Sequence, residues 1–160
     1  MSLATEADLV QNPALGAALL HTFTLEYCEQ NRNKSGPPIT HLLPVLPMLL
    51  HEETVQELYR RHYEGGLLLA LSENRTLTIG LQERMQSTVP RTMRALNLAL
   101  AAGLLTYDPV EDQVRVAAKT RAEFSSGAET KPMHAAATRL GYWFATVRIE
   151  QLCSYLRIKF

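Results

Sequence analysis

The chain has 160 residues, 46% of them hydrophobic: too apolar for a disordered polypeptide, and long enough for one domain. Its 16 basic and 16 acidic residues cancel, which argues against a protein that holds nucleic acid by bulk charge alone. The charge is polarised, however, with a net of −5 over residues 1–83, +1 over 84–130 and +4 over 131–160, a pattern that suggests distinct partner surfaces at the two ends.

In chain order, Asn12-Pro13 is a helix start, with Asn12 as N-cap and Pro13 at the first helical position. The helix is expected to run to about Glu29, with Gly16 among alanines letting another helix approach closely. Gly36-Pro37-Pro38 ends any earlier helix. Residues 39–50 are very apolar but hold Pro44 and Pro47, so a kinked helix, short helices or an extended run all fit. His51-Glu52-Glu53-Thr54 leads into a short amphipathic helix through Val55, Leu58 and Tyr59. Gly65-Gly66 is a joint, and Leu67 to Leu71 is expected to be a buried helix.

The stretch from Thr76 to Val116 reads as helix, short turn, second helix, glycine stop and hairpin. Thr88-Val89-Pro90 opens the second helix, and Gly103 supplies its left-handed stop. Leu104 to Tyr107 and Val114 to Val116 alternate like strands around turn chemistry at residues 108–112. Residues 119–132 are polar and loop-like, His134 to Val147 is a helix with Trp143 and Phe144 in its apolar face, and residues 157–160 alternate like a terminal edge strand. The expected fold is mainly α, within the α+β class. It is a helical domain built around a winged helix-turn-helix, with a two-stranded β-hairpin wing and a short C-terminal edge strand. One domain spans 1–160, with an N-terminal helical part at 8–65, a winged-helix-like core at 66–118, the loop at 119–132 and C-terminal helices at 133–160.

Catalytic signatures are missing. His51-Glu52 begins like a zinc-protease motif, but Val55 stands where the second histidine is needed. There is no Cys-x-x-Cys, no phosphate-binding glycine loop ending in Lys-Ser or Lys-Thr, and no nucleophile elbow. Cys28 and Cys153 read as free thiols in a reducing compartment. With no basic leader and no apolar window of about 20 residues, the expectation is a non-catalytic cytoplasmic protein without cofactor, metal or membrane span. Arg91 and Arg94 near the start of the second helix, with Arg115 and Lys119 on and after the hairpin, are the candidate DNA contacts. The Ala- and Leu-rich remainder of that helix and the acidic hairpin tip favour protein docking instead. Leu43, Pro44, Leu46, Pro47, Leu49 and His51 are candidate partner contacts if their apolar run forms an exposed groove; the competing reading is core.

Five segments, in order, carry a resemblance. They are residues 12–20 (NPALGAALL), 43–54 (LPVLPMLLHEET), 80–90 (GLQERMQSTVP), 101–108 (AAGLLTYD) and 139–145 (RLGYWFA). Together they resemble the middle component of bacterial three-component ABC systems over about residues 8–158. The resemblance implies an accessory subunit that binds an SMC-like coiled-coil ABC ATPase and links it to an effector, often a nuclease. The setting it implies is Lamassu-type defence against phage or plasmids, with any DNA contact made inside the complex. It carries no catalytic residues onto this chain. The competing class is a winged-helix transcriptional regulator that binds DNA on its own.

Overall fold

The computed structural model describes residues 12–117 and 130–160. Helix α1 (Pro13–Gln30) is capped as the sequence requires: Asn12 Oδ1 accepts from the amides of Ala14 at 3.0 Å and Leu15 at 3.2 Å. It is the central helix, buried on nearly every side from Leu15 to Thr24. Two short helices, α2 (Ile39–Leu42) and α3 (Val45–Leu49), then pass through the proline-containing run. α4 (Glu52–Arg60) and α5 (Gly66–Glu73) follow, joined by a turn with left-handed glycines at 65 and 66. A 3-10 turn (Arg75–Leu77) leads to α6 (Leu81–Ala101), strands β1 (Leu105–Asp108) and β2 (Gln113–Val116), α7 (Lys131–Phe144) and α8 (Ile149–Leu156).

Small residues set how closely α1 meets its neighbours. A Cβ on Gly16 would lie 2.9 Å from Ala95 Cβ on α6, the close approach expected of that glycine. Further along α1, a Cβ on Gly141 of α7 would lie 2.5 Å from the Phe23 carbonyl oxygen. The ring of Phe23 meets Phe144 edge-on at 5.5 Å and 80°. α6 and α7 thus both pack closely on α1, and the fold is organised around it.

The helix-turn-helix read over residues 76–103 does not form there. Leu81 to Ala101 is one helix of 21 residues with Pro90 inside it. Its buried positions, Leu81, Met85, Thr88, Thr92, Ala95 and Ala99, alternate in steps of four and three, so a single straight helix lays them all against the core. Pro90 strips only the Gln86 carbonyl of its helical donor, and both residues face solvent, where water satisfies that carbonyl. Thr88 does not cap a new helix; its hydroxyl donates back to the Arg84 carbonyl at 2.5 Å.

The hairpin forms as read, antiparallel, with Leu105 opposite Val116 and Tyr107 opposite Val114. The acids at its tip are occupied by the turn: Asp108 Oδ1 accepts from the amides of Val110 at 2.9 Å and Glu111 at 3.3 Å, and Tyr107 donates its hydroxyl to Asp112 at 3.0 Å. The proline loop docks the hairpin onto the body. The amide of Val114 donates to the Pro37 carbonyl at 2.8 Å, and Gly36 lies so close to the Val114 carbonyl that no side chain fits between.

The predicted C-terminal edge strand is absent, and the sheet of the described residues has only β1 and β2. Arg157 takes a left-handed conformation that ends α8, and Ile158 is buried. Gln82 then replaces the missing strand partner: Lys159 donates its amide to Gln82 Oε1 at 2.7 Å, and Gln82 Nε2 donates to the Lys159 carbonyl at 3.1 Å. One side-chain amide satisfies both backbone groups, so no neighbouring strand is required. Most of the loop read over 119–132 lies outside the described residues; α7 begins at Lys131, within that span.

Candidate functional site

The sequence candidates do not converge on one site. Arg94 is exposed on the middle of α6, its Nε 3.4 Å from the Pro90 carbonyl, and Arg91 is half-buried three residues earlier. Neither lies at a helix start, because the start is at Leu81. Arg115 is exposed on β2 and donates to Gln113 Oε1 at 2.8 Å, while Lys119 lies outside the described residues. Leu46 and Leu49 are buried, as are Pro44 and Pro47, with Leu43 and His51 half-buried. An exposed anchor groove is therefore not formed by this run. The prolines break it into two short helices that turn its apolar residues into the core, against α1, α6 and α7.

Two shallow depressions hold polar groups. One, about 280 Å³, is lined by Leu25, Cys28, Glu29, Ser35 and Arg115. Burial raises the Cys28 thiol above its ordinary range, so the sulfur is held in its unreactive protonated form. The other depression reaches His41 and the start of α8 at Arg148 and Glu150. His41 is buried against the rings of Tyr27 and Phe144, and its Nε2 lies 3.3 Å from the Val147 carbonyl. Desolvation lowers its pKa from the ordinary 6.5, and the hydrogen bond to Val147 offsets only part of that shift.

That shift carries a sign. The unfolded chain takes up a proton near 6.5, whereas the folded ring accepts one only at lower pH. Stability from the neutral His41 is intact above 6.5 and is lost as pH falls toward the folded value. Urea midpoints measured from about pH 7 to pH 5 should fall more steeply for the native chain than for His41→Gln. Parallel curves would contradict this assignment.

The arrangement that sequence reading missed lies between α4, the following turn and α7. The guanidinium of Arg139 sits 5.9 Å from the centre of the Tyr59 ring and 5.4 Å from that of Tyr63, and Tyr63 meets Tyr142 at 4.9 Å. Arg139 Nε donates to the Arg61 carbonyl at 2.7 Å, and Trp143 Nε1 donates to the Tyr63 carbonyl at 3.2 Å. Arg61 bridges Glu57 of α4 and Glu73 of α5, each at 2.5 Å. The only sequence signal was Tyr59 and Tyr63 four residues apart; Arg139 and Tyr142 lie about 80 residues away along the chain. Among the described residues no cluster of His, Cys, Asp and Glu could hold a metal ion, and no helix is long and apolar enough to cross a membrane.

The described residues thus form a helical body whose surface carries tyrosines held by Arg139 and Tyr142. The family model for the ABC-three component (ABC-3C) system Middle Component 3 matches residues 1–160. The chain belongs to this family. No curated protein and no solved structure matches it. As a middle component it is an accessory, defence-type part of a three-component ABC system, a setting that brings partner subunits. Within this middle component the tyrosine–arginine cluster is the built surface feature to account for.

Proposed function

We propose that this chain is a non-catalytic cytoplasmic adaptor. It binds the ABC ATPase of its system, an SMC-like coiled-coil enzyme, and links that enzyme to an effector, often a nuclease. The assembly is of the Lamassu type and acts against phage or plasmids. The observation that carries the reading is membership of the middle-component family across residues 1–160. In this reading the ATPase supplies ATP hydrolysis and DNA engagement, and this chain supplies contact surface. Autonomous DNA reading is the weaker alternative, because Arg91 and Arg94 sit mid-helix with Arg91 half-buried, and the hairpin tip presents Glu111. The second helix that this alternative places at Thr88 is instead part of the continuous helix Leu81–Ala101.

The test is reconstitution with the neighbouring ATPase and effector. The expected result is a ternary complex whose ATPase and effector separate when this chain is omitted. An ATPase and effector that associate equally well without it, or that leave it unbound at micromolar concentration, would overturn the proposal. Charge reversal at Arg91 and Arg94 checks the alternative, which requires that DNA affinity and its salt slope both fall.

A further inference from the structure

We propose that the face formed by α4, the Tyr63–Gly65 turn and α5 docks a basic amphipathic helix from a partner subunit of the same system. The inference rests on the adaptor reading and assigns it a surface. Leu68 is 56% exposed and Leu69 43%, on a helix whose inner face already buries Leu67, Ala70 and Leu71. Burying either outer leucine against a partner removes apolar area that the fold itself leaves in water. Leu69 folds back over the turn, so that a Cβ on Gly65 would run into its side chain. Tyr59 on α4 and Tyr63 in the turn are about two-fifths exposed as well, so these consecutive elements leave both tyrosines and leucines in water.

The face is also held still. Arg139 and Trp143 fix the carbonyls at both ends of the 61–63 segment, Arg139 and Tyr142 hold the tyrosine rings, and Arg61 ties α4 to α5. A partner docking here orders few side chains, so little conformational entropy opposes binding. Tyrosine and arginine in such settings are the residue types that dominate binding energy at interfaces.

Charge selects the occupant. Along α4, the turn and α5, five acidic residues stand against two basic ones, a net of −3: Glu57 and Glu73 are paired with Arg61, whereas Glu52, Glu53, Glu64 and Arg60 are exposed and in no ion pair among the described residues. A net acidic pair of helices repels nucleic acid and favours lysines or arginines flanking an apolar stripe. The surface is made of helix side chains, with no strand edge of the described sheet in it, so the complementary element is a helix presenting apolar residues at i, i+3 and i+4.

The experiment uses the full chain with its ATPase and effector, comparing amide hydrogen exchange in the free and bound states. Residues 59–73 should gain protection on binding. The double variant Leu68→Asp/Leu69→Asp, checked for native melting, should weaken the complex by about 30-fold or more. Glu64→Lys should weaken it less, and most at low salt. A complex that forms without protection of 59–73, at unchanged affinity for the leucine variant, overturns the inference and leaves the adaptor reading standing. Failure of any complex to form overturns the adaptor reading, and the docking site with it. Concentration-dependent dimerisation of the chain alone, abolished by the leucine variant, would show a second copy to be the occupant and overturn the assignment to a partner helix.

Discussion

Gly141→Val is expected to cost about 3 kcal/mol or more of folding stability, at the upper end of overpacking effects. The added Cβ would meet the Phe23 carbonyl oxygen at 2.5 Å, Glu26 Cβ at 3.0 Å and the Tyr27 nitrogen at 3.2 Å. Two of those three are backbone atoms of α1, which cannot rotate aside as a side-chain end would. The only relief is to move α7 away from α1, and that loosens the Phe23–Phe144 contact and the packing of Leu140 together. For a chain of this size, such a loss lowers the thermal midpoint by roughly 6–12 °C. Ala135→Val, on a half-exposed turn of the same helix, serves as the control for β-branching and should cost under about 1 kcal/mol. Equal melting of the two variants would mean that the close crossing of α7 on α1 is not what the glycine is for.

Phe144→Ala is expected to cost about 3–5 kcal/mol, and Phe144→Leu markedly less. Phe144 is fully buried, edge-on to Phe23 at 5.5 Å and 6.3 Å from the ring of His41. Removing its ring leaves a cavity that the clamped helices cannot close, because Gly141 already brings α7 as near α1 as backbone atoms allow. The same cavity reduces the desolvation of His41. The alanine variant should therefore show a shallower loss of stability between about pH 7 and pH 5 than the native chain. Urea unfolding across that range checks both parts, and a cost under 1 kcal/mol would remove Phe144 from the centre of the core.

Local chemistry in the sequence is a good guide wherever the deciding partner is a few residues away. Asn12 caps α1 because its side chain reaches amides two and three residues on. The hairpin follows from alternating residues around a turn closed by Asp108, and Gly16 marks a helix crossing because a missing side chain has one common use inside an apolar helix. Trp143 and Phe144 are core, as their spacing suggests. The failures have a different origin. Thr88-Val89-Pro90 carries the signature of a helix start, yet Pro90 faces solvent on a helix whose other side is buried from Leu81 to Ala99. Residues 157–160 alternate like a strand, yet the backbone of Lys159 is met by Gln82 from 77 residues away.

The same division holds for function. The ordered motifs along residues 12–145 are enough to point to the middle-component family, because order and spacing along a chain are properties of the sequence itself. By itself the sequence also determines that the chain is mainly helical with one hairpin and that its charge is unevenly placed. It does not determine which apolar residues face outward. Leu46 and Leu49, read as possible anchors, are buried, while Leu68 and Leu69, read as core, are exposed. Nor could it bring Arg139 and Tyr142 to Tyr59 and Tyr63. Hydrophobicity and periodicity state that a residue prefers burial, but whether it is buried depends on which helix lies opposite. That is decided by how α6 and α7 close on α1, and only the tertiary structure contains it.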